Sequence, residues 1–203
     1  MKICILRTWI AVSLWLGLIH LHAQDTWRRP LTLSLFTVAT QFPGGKITPV
    51  HPGMEIGTEF RYNKSEKNQW LQTVKTGIYY HKYSQTAIQL YTELDYRRKI
   101  WQKIKGDMKL GAGYLHAIPD LQSFVLEDGV YVKGNRFGRP QFMVSVALGV
   151  RYQFSALRDG AGFFMTIQCF LQMPFINSYV PVLPNTALHA GVTYPLFKAI
   201  NNK

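Results

Sequence analysis

Two groups of residues could carry chemistry in this chain. The first is four histidines, His51, His81, His116 and His189; His20 and His22 lie further upstream. Histidine can act as a base, a proton carrier or a metal ligand, but each use needs partners at set spacings. No HExxH, CxxC, GxSxG or Walker-type run occurs, and no two of the four histidines are close in sequence. The sequence therefore assigns no catalytic, cofactor-binding or metal-ligating residue. The one arrangement that would give acid–base chemistry is a cross-strand grouping such as His81 with Glu93 or Asp95. Otherwise His81, His116 and His189 read as hydrogen-bonding residues of an interior or a rim.

The second group is charged. Glu55, Glu59, Arg61, Lys75, Glu93, Asp95, Lys109 and Arg151 each fall on the polar parity of an otherwise apolar segment. Four are acidic and four basic. A buried charge is costly unless paired, so a balanced set on one face predicts an interior network of ion pairs and hydrogen bonds, structural in role.

The elements that must position these charges have a period of two, the signature of strands. Residues 141–154 are clearest, with Phe142, Val144, Val146, Leu148, Val150, Tyr152 and Phe154 on one face and the mostly small or polar Gln141, Met143, Ser145, Ala147, Gly149, Arg151 and Gln153 on the other. The same alternation runs through 54–62, 86–96, 108–114, 162–172 and 188–196. Segment 31–40 starts with it until Phe36 and Val38 break parity, and Phe164 and Phe170 fall on the polar face of 162–172. Segment 70–82 is a strand by composition. The total is eight strands of about 9 to 14 residues, against the ~9–11 needed to cross a bilayer at a tilt. With the first strand running outward, the inner turns are 63–69, 97–107 and 155–161. The outer loops are 41–53, 83–85, 117–140 and 173–186, the longest being 117–140.

Composition narrows the class. Of 203 residues, 47% are apolar, 14% aromatic and 17% charged, with 23 basic against 11 acidic side chains. This is too apolar for a disordered basic tail, and two cysteines make no disulfide scaffold. Residues 1–23 have the layout of a secretory signal: Lys2 and Arg7, an apolar core from Trp9 to Ile19, and Ala23 at the cleavage position. Its removal takes Cys4 away and leaves 24–203 as one domain, with Cys169 as its single cysteine. Eight strand charges are too few for the outer wall of a soluble barrel, whose faces would be reversed. The apolar faces therefore look outward into lipid, the sheet must close on itself, and eight strands leave an interior that side chains fill. Trp70, Tyr80, Tyr96, Trp101, Tyr114, Tyr152, Phe154, Tyr194 and Phe197 lie at or near segment ends, as in interfacial girdles.

A leader, eight dyad-patterned strands and a last strand ending in Tyr194 and Phe197 resemble the small outer-membrane β-barrel families of Gram-negative bacteria. The resemblance covers most of the mature chain, although Pro195 interrupts the terminal pattern and residues 198–203 extend past it. It implies an all-β, eight-stranded antiparallel up-and-down transmembrane barrel in the outer membrane, inserted by the barrel-assembly machinery. Such families include adhesins, structural barrels, solute carriers and lipid A-modifying enzymes, so the fold leaves the function open. Deacylases of that kind place His and Ser two residues apart on one strand. Here Tyr83, Ile118 and Gly191 follow His81, His116 and His189 at that spacing. The expected function is non-enzymatic, structural or interactive through the outer loops. The alternatives are a narrow carrier for small or hydrophobic solutes and, less favoured, a lipid A-modifying enzyme. In loop 117–140, residues 123–133 could form a hairpin around Glu127-Asp128-Gly129 that meets a protein partner by strand addition. Lys133, Arg136 and Arg139 could contact lipopolysaccharide phosphates. The expected partners are thus outer-membrane lipid and lipopolysaccharide, and no nucleic acid.

Overall fold

The computed structural model describes residues 30–43, 50–82, 84–121, 124–127, 129–133, 137–154, 161–175 and 181–195. The proposed leader 1–23, and the ends of the chain with it, lie outside these.

Among the described residues ten strands occur in chain order: β1 (Pro30–Ala39), β2 (Pro52–Arg61), β3 (Asn68–His81), β4 (Gln85–Lys99), β5 (Ile104–Pro119), β6 (Phe124–Glu127), β7 (Val130–Lys133), β8 (Arg139–Gln153), β9 (Gly162–Met173) and β10 (Leu183–Pro195). Eight close into an antiparallel barrel of order β1-β10-β9-β8-β5-β4-β3-β2, and β6–β7 form a separate two-stranded sheet. Closure runs from Pro30 opposite Pro195 to Ala39 opposite Thr186, so no barrel edge is left unpaired. Pro195 sits at the strand end, where a missing N–H costs least.

Alternation is kept in every wall strand. Leu33, Leu35, Met54, Ile56, Leu90, Met108, Leu110, Val146, Leu148, Met165 and Val192 point outward and are exposed, while their odd-step neighbours are buried. An exposed apolar belt of this extent has no place in water; it is the lipid-facing wall of a transmembrane barrel. At the end where β1 begins and β10 finishes, Trp70 lies against Tyr96 with ring centroids 4.9 Å apart and Tyr152 against Phe154 at 5.8 Å. Tyr80 and Tyr114 mark the opposite, loop end.

Several boundaries move. The 97–107 turn shrinks to 100–103, because β4 continues to Lys99 and β5 starts at Ile104. β10 begins at Leu183, inside the segment read as a loop. Phe36 and Val38 do not break parity: both point inward and are buried, as are Phe164 and Phe170. The interior has an apolar layer, which polar-inside patterning does not anticipate. The hairpin in 117–140 is present as β6 and β7, with Gly129 at φ 79°, the left-handed geometry such turns need.

Glycines make the crowding possible. A Cβ on Gly113 would stand 2.3 Å from Tyr91 Cβ and 2.4 Å from the Leu90 carbonyl oxygen. Tyr91 lies directly over Gly113 in the β4–β5 register.

Candidate functional site

The interior is built in layers. Near the termini end, Glu59 accepts two hydrogen bonds from Arg97, Nη1 at 3.0 Å and Nη2 at 3.1 Å, and a third from Arg151 Nη2 at 2.8 Å. Arg97 Nη2 also donates to Asp95 at 2.8 Å and its Nε to Asp107 at 3.1 Å. Arg151 Nη1 donates to Thr193 Oγ1, and its guanidinium lies 5.2 Å from the Phe164 ring centroid. Lys109 Nζ stands 3.9 Å from Asp107 and 5.7 Å from the Phe164 centroid.

One layer up, Lys75 bridges Glu55 at 3.2 Å and Glu93 at 3.0 Å. The Tyr91 hydroxyl donates to Glu55, as does Ser34 Oγ at 3.3 Å. Thr73 and Gln168 donate to Glu93 at 3.3 and 3.1 Å. His189 Nε2 lies 3.2 Å from Gln168 Oε1, and its ring stacks on Phe36 at 4.6 Å.

Above this is the apolar layer of Phe36, Val38, Tyr79, Ala87, Leu115, Ala117, Met143, Phe170 and Ala187, all buried. Amides close the loop end. Gln85 and Gln172 exchange hydrogen bonds at 3.0 and 3.1 Å, and Gln172 donates to Gln141 at 2.5 Å. Gln85 Nε2 caps the Tyr79 hydroxyl at 3.1 Å.

Seven of the eight residues read from the sequence as interior charges (Glu55, Glu59, Lys75, Glu93, Asp95, Lys109 and Arg151) are buried in these two layers. Arg61 is not among them. It lies exposed at the rim, where its Nε and Nη2 donate to the Asn63 and Ser65 carbonyls at 2.6 and 2.8 Å and shape the 62–67 turn. Sequence reasoning misses two residues, Arg97 and Asp107, because it places both in a turn. Their signal is parity: Glu93, Asp95, Arg97 and Asp107, Lys109 each continue a two-residue step. The buried set among the described residues is therefore five carboxylates against four cations, with Arg97 at its centre.

The histidines do not meet these acids in a triad. His81 ends β3 at the loop rim, paired in register with Gln85, eight residues above Glu93 on the neighbouring strand. Its Nε2 lies 3.2 Å from Thr40 Oγ1, and its ring stacks on His51 at 3.6 Å. His51 Nδ1 lies 2.9 Å from the Val38 carbonyl oxygen. His116 is held between the Tyr114 hydroxyl at 2.8 Å and the Phe137 carbonyl at 2.7 Å, tying β5 to the chain that returns from the hairpin. Among the described residues no three His, Cys, Asp or Glu side chains converge as a metal site.

No protein-family model matches the chain, and no curated protein matches it in sequence. Solved structures do. Neisserial surface protein A superposes with a TM-score of 0.55 at 13% identity, over 82% of this chain and 95% of that one. The fold is that of a small outer-membrane barrel. The outer membrane enzyme PagL (TM-score 0.47, 8% identity, 82% of this chain and 99% of that one) is less similar. So is Ail, the attachment invasion locus protein of Yersinia pestis (0.44, 11%, 83% and 99%). At such identities the likeness concerns architecture and carries no substrate, partner or activity across.

Proposed function

We propose that this is an integral outer-membrane barrel with neither an open pore nor a catalytic centre, which acts as structure and through its loop end. The observation that carries this reading is the filled lumen. Two charged layers, an apolar layer and an amide layer follow one another along the axis, and every cation in them is held by an acid. A solute carrier needs a continuous polar or apolar path, and these layers alternate.

The loop end supports an interactive role. Leu121, Val130, Tyr131 and Phe137 are 63%, 67%, 73% and 83% exposed. Val130 and Tyr131 stand on the β6–β7 hairpin and Leu121 and Phe137 on the chain either side of it; exposed apolar side chains there suit contact with a protein partner, and a two-stranded sheet can accept a further strand. Arg139 is exposed at the start of β8, which supports its reading as a contact for lipopolysaccharide phosphate. Lys133 and Arg136, named with it from the sequence, have side chains outside the described residues. The closed β1–β10 seam suits a barrel inserted by the barrel-assembly machinery.

The test is planar-bilayer conductance of the folded protein, run beside an acyl-release assay on lipid A. The expected result is baseline current and no release. Discrete conductance steps would restore the carrier, and released fatty acid would restore the enzyme.

A further inference from the structure

We propose that the termini end of the barrel carries a binding site for anionic phospholipid headgroups, formed where turn 62–67 meets turn 100–103. Charge is unevenly placed. Among the described residues, the exposed cations at this end are Lys64, Lys67, Arg98, Lys99 and Lys103, besides Arg61, which the 62–67 turn consumes; Lys105 is half-buried at the lumen mouth. Glu66 is the one acid of these two turns. The loop end shows exposed Lys82 and Arg139 against Asp120. Among the described residues the exposed basic excess therefore concentrates at the end opposite the loops, and it is in the loops that the sequence suggested phosphate contacts.

The two turns meet in a shallow depression open to solvent, lined by Glu66, Lys67, Lys99, Ile100, Trp101 and Gln102. Its floor is fixed by backbone bonds: Lys99 N–H to the Lys67 carbonyl at 2.8 Å, and the Ile100 and Trp101 N–H groups to the Ile104 carbonyl at 2.9 and 3.0 Å. Ile100 and Trp101 are held outward, 67% and 70% exposed. Among the described residues no ion pair joins Lys67, Lys99 or Lys103 to a carboxylate.

Depth decides the ligand. The Trp70–Tyr96 pair marks the interface, and Lys99 lies three residues beyond Tyr96 on β4. At ~3.3 Å per residue and a tilt near 45°, that is roughly 7 Å further along the membrane normal, the depth of the phosphates. Ammonium groups at that depth with an indole and an isoleucine beside them match one ligand chemistry, a phosphate monoanion attached to acyl chains.

The test uses the protein without leader 1–23 reconstituted in vesicles, with Trp101 retained and Trp27 and Trp70 replaced by Phe. Brominated phosphatidylglycerol and brominated phosphatidylcholine are compared as quenchers. Phosphatidylglycerol is expected to associate about fivefold more strongly, and the preference to vanish in the K67Q/K99Q/K103Q variant and to weaken in about 0.5 M salt. Equal quenching by the two lipids, or a preference that survives the triple substitution, overturns the proposal. If the single-tryptophan form does not fold, native mass spectrometry of the protein with its tryptophans intact, and of the same triple variant, separates the same outcomes by counting bound phosphatidylglycerol against phosphatidylcholine.

Discussion

Removing the carboxylate of Glu59 tests whether the lower charged layer is an ion-pair network or only a set of neighbouring charges. Glu59 accepts three charge-assisted bonds between 2.8 and 3.1 Å and is 5% exposed. Breaking a buried pair by removing one partner costs ~3–5 kcal/mol. The lower figure applies, because Arg97 keeps Asp95 and Asp107, and Arg151 keeps Thr193. Glu59→Leu should thus lose about 3 kcal/mol, which at ~2 kcal/mol per molar urea moves the unfolding midpoint down by about 1.5 M. Removing Arg151 as well restores the charge count. The double variant Glu59→Leu with Arg151→Met should regain at least half the loss, since an apolar replacement of a buried pair is often neutral. The assay is urea unfolding in lipid vesicles, followed by heat-modifiable gel mobility and fluorescence on the two single variants and the double. Strict additivity of the two single losses would refute the reasoning, because it would mean that the two groups do not feel one another.

Four further outcomes are expected. Gly113→Val should abolish the heat-modifiable band, because its side chain would overlap Tyr91 and the Leu90 carbonyl; a folded barrel would show that the β4–β5 register can shift. Phe170→Ala, at a site 1% exposed in the apolar layer, should cost ~3–5 kcal/mol in urea unfolding while conductance stays at baseline. Leu110→Arg, on the lipid face at mid-strand, should cost ~2–4 kcal/mol in vesicles, and no measurable loss would mean that the face is not in hydrocarbon. Replacing 122–136 by a short Gly-Ser link should leave the urea midpoint within ~0.5 kcal/mol of the parent, since the β6–β7 sheet does not pair with the barrel.

The parity of residues 141–154 or 54–62 is enough, without coordinates, to identify strands, to put charges inside and aliphatics outside, and to require a closed sheet, because each step of two returns to the same face and lipid tolerates no open backbone. Glu55, Lys75 and Glu93 are legible in this way. Element ends are not. Arg97 and Asp107 look like turn residues because two adjacent cations and a following lysine-rich stretch resemble a solvated loop. They are buried strand residues because each finds its counter-charge inside the barrel: Arg97 on Glu59, 38 residues away in sequence, and on Asp107, its register partner on the neighbouring strand. Arg61 fails in the opposite sense: its parity points inward, but at the last ladder pair its long side chain turns to the free carbonyls of Asn63 and Ser65. Phe36, Val38 and Phe170 seem to break a polar face, and only closure shows that they meet at one height and form a layer of their own. Alternation along a chain is local and fixes which way each residue points; which residues share a level inside the barrel depends on register and shear between strands, which exist only once the sheet has closed.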